Sequence, residues 1–68
     1  MKENSLDKLK GRYCKIVTQE PGEYGVNVFY GEITDIDYKS GFIIVESEKG
    51  IGIISLEVVE AIKPTKKR

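Results

Sequence analysis

The chain has no histidine and no tryptophan, and it holds one cysteine and two prolines in 68 residues. Each shortage removes a class of protein. A single thiol forms no internal disulfide, so the stapled framework of a small secreted domain is excluded, and an unpaired Cys14 suits a reducing compartment. Without histidine there is no zinc or copper set, and the carboxylates that remain suit only a hard cation. The usual general base of nucleophilic catalysis is missing as well. No apolar run approaches the ~20 residues that span a bilayer, and no signal-peptide pattern is present. The expectation is a cytoplasmic protein with no metal, no cofactor and no membrane partner.

Net charge is also lacking: eleven Lys and Arg cancel eleven Asp and Glu. The distribution is uneven. Residues 1–19 carry Lys2, Lys8, Lys10, Arg12 and Lys15 against Glu3 and Asp7, a net +3. Residues 20–60 carry nine acids against Lys39 and Lys49, a net −7. Lys63, Lys66, Lys67 and Arg68 then add +4. Phosphate neutralisation supplies most non-specific affinity for nucleic acid, so an acidic body between basic ends confines any such contact to a local patch. A single domain of this length buries only about 60% of its unfolded surface. With no disulfide or metal to add stability, oligomerisation is the natural remaining source.

What is present is strand periodicity. The stretch VFYGEITDIDYKSGFIIVES, residues 28–47, predicts two long strands joined by a tight turn at Asp37–Gly41. Val26, Val28 and Tyr30 share one face, and Phe29, Gly31 and Ile33 share the other. Both faces are partly apolar, as in a strand that bends across a closed barrel. Gly31 marks a sharp bend or bulge inside the strand. Ahead of this hairpin, Arg12 to Gln19 alternates as a strand, with Cys14, Ile16 and Thr18 on one side. Glu20-Pro21-Gly22-Glu23 fits a type II turn. Glu48-Lys49-Gly50 is a compact turn, Ile51–Ser55 a fourth strand, Leu56–Val58 a 3-10 turn, and Val59–Lys63 a fifth strand stopped by Pro64. At the start, Asn4 reads as an N-cap, Leu6 and Leu9 as one helix face and Gly11 as the stop of a short helix. The fold expected is all-β: a five-stranded, strongly bent Sm-like or SH3-like barrel behind a short N-terminal helix. Residues 1–63 form the domain and 64–68 a disordered basic tail.

Two families share this pattern. GEITDIDYKSGFII, residues 31–44, resembles the Sm1 motif of Sm and LSm proteins, and Ile53-Ile54-Ser55-Leu56 with Val59 and Ile62 resembles the Sm2 motif. The helix Leu6–Lys10 followed by Gly11-Arg12 is similar to that family's N-terminal helix. This resemblance implies a self-assembling, RNA-associated ribonucleoprotein component. Its pocket residues map to Asp37, Lys39, Gly41 and Ser55, and the departures fall there. Gly41 stands where the family has asparagine, Lys39 where it has a stacking side chain, and Ser55-Leu56 where it has Arg-Gly. Losing the amide and the guanidinium removes base-edge and stacking contacts. Residues 31–41 and 54–58 are similar also to the PRC-barrel, which implies a protein–protein interaction module that does not touch RNA.

Asp35 and Asp37 share a strand face, but no nucleophile, base or third ligand accompanies them, so they read as turn capping and solubility. Cys14 reads as a small core residue. Tyr13 and Tyr30 read as packing, whereas Tyr24 and Tyr38, in turns, suit a partner surface. The expectation is a non-enzymatic protein with no small-molecule substrate. Its candidate RNA-binding residues are Asp37, Tyr38, Lys39, Gly41, Ser55, Lys66, Lys67 and Arg68. Self-association is expected through the barrel's edge strands, the fourth and fifth.

Overall fold

Alternation builds the first strand, β1 (Tyr13–Thr18), in which Cys14, Ile16 and Thr18 are buried while Lys15 faces solvent. The computed structural model describes residues 6–67. Strand β2 (Asn27–Asp37) has 11 residues. Extended, it would measure about 36 Å. The described molecule's longest extent is 31 Å, and β2 bends within it. It does so in two places. At Gly31 an added Cβ would lie 2.6 Å from Val45 Cγ1 and 2.8 Å from the Glu46 carbonyl oxygen, so only glycine allows the strands to approach this closely. Between Ile33 and Asp35 the register shifts by one residue.

The bend lets β2 serve two partners. Its first half pairs with β1, from Thr18↔Asn27 to Tyr13↔Glu32. Its second half pairs with β3 (Phe42–Ser47), from Glu32↔Glu46 to Asp37↔Phe42. Strand β4 (Gly50–Ser55) returns beside β3, a 3-10 turn at Leu56–Val58 follows, and β5 (Val59–Pro64) runs antiparallel to β1. The result is one antiparallel sheet of order β4-β3-β2-β1-β5. Cys14, Ile16, Ile33, Ile43 and Val45 form its core, with Leu9, Ile36, Ile54, Leu56, Val59 and Ile62 packed around them.

One expectation changes. The sheet is open, because β4 and β5 do not pair. The first half of β2 is therefore covered on neither face, and Val28, Phe29 and Tyr30 are 44%, 43% and 51% exposed. Of the core or rim packing expected for Tyr30, its exposure excludes the core. The N-terminal helix is described only from Leu6 onward. Its proposed cap, Asn4, lies outside the described residues. Leu6 and Asp7 are helical, and the chain continues in turns held by Leu9 N–H to Leu6 C=O (2.9 Å) and Lys10 N–H to Asp7 C=O (3.1 Å). Gly11 N–H then donates to Ile33 C=O at 2.6 Å, which draws the chain into the sheet. Among the described residues, no helix is long and apolar enough to cross a membrane.

Candidate nucleic-acid interface

The hairpin turn between β2 and β3 is set by its first residue. Asp37 Oδ1 accepts the Ser40 N–H at 3.0 Å, and Asp37 C=O accepts the Gly41 N–H at 2.8 Å. An aspartate side chain folding back on the backbone in this way closes an Asx-type turn. Gly41 completes it with φ of 81°, a left-handed value that side chains resist. Gly41 C=O in turn accepts the Leu56 N–H at 2.9 Å, and Phe42 lies in register with Ser55. Ser55 Oγ accepts the Glu57 N–H at 3.2 Å and so caps the 3-10 turn.

These bonds bring Asp37, Tyr38, Lys39, Gly41 and Ser55 to one end of the sheet. Tyr38 and Lys39 are exposed, and the Tyr38 hydroxyl donates to Asp7 Oδ1 at 2.6 Å, which ties the turn to the N-terminal segment. The flat face of a tyrosine next to an exposed ammonium is a surface on which an unpaired base can stack while a phosphate is neutralised. Beside them, Asp35 accepts its neighbour Ile36 N–H at 2.9 Å and faces Lys10 Nζ at 3.5 Å, so it serves local structure. Among the described residues no group of three or more Cys, Asp or Glu side chains converges as a metal site.

The basic tail lies elsewhere. Thr65 N–H donates to Tyr13 C=O at 2.9 Å, which directs Lys66 and Lys67 toward the Tyr13–Glu32 end of β1 and β2. Lys67 lines an open groove with Tyr13, Val28, Glu32, Glu46 and Ile53. Glu32 and Asp37 are five residues apart along β2, at most about 16 Å, so the tail meets the sheet at a different point of β2 from the turn. Arg68 lies outside the described residues. Cys14 is fully buried, and its thiol pKa is raised by that burial, with the charge of Arg12 opposing the shift.

A surface not singled out in the sequence is the apolar set of Val28, Phe29, Tyr30, Ile51 and Ile53, all exposed. Its signal was the run of apolar residues at both odd and even positions of 26–30. Comparison with protein-family models, curated proteins and solved structures returned no match.

Proposed function

We propose that this chain is a non-enzymatic, cytoplasmic, Sm-like protein that self-assembles and associates with single-stranded RNA. Two features support the finer reading of the open sheet as a small bent barrel with a seam between β4 and β5. Strand β2 changes partner at its bulge, and β5 returns to the free side of β1. The observation that carries the RNA reading is the hydrogen bond from Leu56 N–H to Gly41 C=O. It joins the two motif-like segments, so the turn that carries Tyr38 and Lys39 lies at the same end of the sheet as Ser55. The amide and guanidinium of the family pocket are replaced here, so binding rests on stacking and charge and not on base-edge readout. The sheet has two free edges, β4 and β5, and self-assembly would proceed by pairing at such an edge.

The test is fluorescence anisotropy of a labelled single-stranded oligouridylate and oligoadenylate against salt. Lys39→Ala and Tyr38→Ala should each weaken binding about fivefold, since a stacked base is worth ~1 kcal/mol or more. Deleting residues 66–68 should lower the salt slope and leave binding at the turn intact. No binding at low salt would sink the RNA reading, and complete loss on tail deletion would move it to the tail. The exposed apolar band favours a second reading, a PRC-barrel or SH3-like protein–protein module. In that case apolar substitutions at Val28 and Tyr30, and not those at the turn, would abolish partner binding.

A further inference from the structure

The two free edges of the sheet are not equivalent, and their backbone groups can be assigned from the ladder. In an antiparallel pair, residues alternate between those bonded to the neighbouring strand and those turned away from it. Leu56 N–H bonds Gly41 C=O, so the matching pairs 43/54, 45/52 and 47/50 are also the bonded ones. Ile51 and Ile53 therefore turn their N–H and C=O groups to the free edge of β4, and Ser55 turns its N–H there. Their spacing is an unbroken two residues. On β5, Thr65 N–H bonds Tyr13 C=O and Gln19 N–H bonds Val58 C=O. The register shift between these bonds leaves Val59, Ile62 and Pro64 facing outward. That edge is irregular: its first two groups are three residues apart, and Pro64 has no N–H to offer.

Side chains repeat the contrast. Strand β5 carries Glu60, Lys63 and Pro64, devices that protect an edge from pairing. Strand β4, GIGIIS, has no charge and no proline, and Ile51 and Ile53 are 69% and 66% exposed. A regular partner of two-residue spacing fits β4, and β5 does not supply one. The matching edge on this molecule is β4 itself.

We infer that two copies of this chain join β4 to β4, antiparallel about a two-fold axis at Ile53, to form one continuous ten-stranded sheet. This rests on the self-assembly proposed above and names the surface that carries it. In this register Ile51 faces the partner's Ser55, Ile53 faces its own copy, and all three outward-facing residues of each β4 bond across the interface. The flanking charges agree. Lys49, just before β4, and the partner's Glu57, just after it, then fall at the same end of the pair, whereas a parallel pairing would bring lysine to lysine and glutamate to glutamate. The assembly stops at two, because both outer edges are then the guarded β5.

Light scattering over a dilution series measures the mass, and three variants locate the contact. The native protein should run at twice its 7.7 kDa chain mass. Ile53→Pro removes an outward N–H without touching the ladder to β3, and Ile51→Lys places a charge on the exposed face. Each should halve the mass while far-UV circular dichroism stays native. Ile53→Cys should form a disulfide-linked dimer under mild oxidation, since bonded antiparallel residues lie about 5.5 Å apart. Buried Cys14 should give no background. A monomer at every concentration overturns self-assembly altogether. An assembly larger than two, a mass unmoved by both substitutions, or an uncrosslinked Ile53→Cys overturns the β4 pairing and leaves self-assembly standing.

Discussion

At Gly31 one added carbon meets both a side chain and a backbone oxygen, and neither neighbour gives way easily. Val45 is a buried β-branched residue, and the Glu46 carbonyl belongs to the strand itself. Gly31→Ala should therefore cost about 2 kcal/mol, read as a lower urea midpoint with little change in slope. Cys14 gives a second test at this scale. Its folded pKa lies above the thiol's ordinary 9.0, because burial disfavours the thiolate more than Arg12 favours it. The unfolded chain then releases the proton first. The stability contributed by the neutral thiol is complete below pH 9 and is lost as pH rises through the folded pKa. Urea titrations from pH 8 upward should show this decline in the native protein and a shallower one in Cys14→Ala. An unchanged slope would mean that the thiol is not protected by burial.

Among the elements, the β2–β3 hairpin depends most clearly on a single side chain. Asp37→Ala removes the acceptor for Ser40 N–H and should cost about 1 kcal/mol, measured by denaturation. It should also loosen Tyr38 and Lys39, so the proposed RNA binding should weaken further than stability alone explains. All five strands and the 3-10 turn were legible in the sequence because alternation and turn residues are local signals. The assembly of Asp37, Gly41 and Ser55 was also legible, since it needs only two consecutive hairpins. What covers a strand was not legible. Apolar residues on both sides of β2 announce two partly apolar faces, but periodicity does not reveal that Val28, Phe29 and Tyr30 remain exposed. That outcome depends on β4 and β5 failing to meet, which is a long-range fact. Of the short N-terminal helix, the described residues hold Leu6 and Asp7, and Gly11, its expected stop, has a φ of 83° and is captured by Ile33 from a distant strand.

For the whole molecule, the core is small and the sheet has two ends. Five buried apolar residues supply little stabilisation, so unfolding should be linked to association. The midpoint of thermal unfolding should rise with protein concentration, and Ile51→Lys should abolish that dependence. A midpoint independent of concentration would show that the monomer is stable alone. Charge acts at the same scale. The acidic body opposes the approach of nucleic acid, so the RNA binding proposed at Tyr38 and Lys39 should show a salt slope set by few contacts. The pairing of β1 with β5 has one more consequence, and it concerns time. Cys14 lies opposite Pro64, residues ~50 apart in the chain, whereas β2, β3 and β4 meet across short turns. During synthesis the hairpins can form while β1 still waits for its second neighbour. In the finished protein, amides bonded between β1 and β5 should exchange with deuterium ahead of those between β2 and β3, marking the last pair to zip as the first to open.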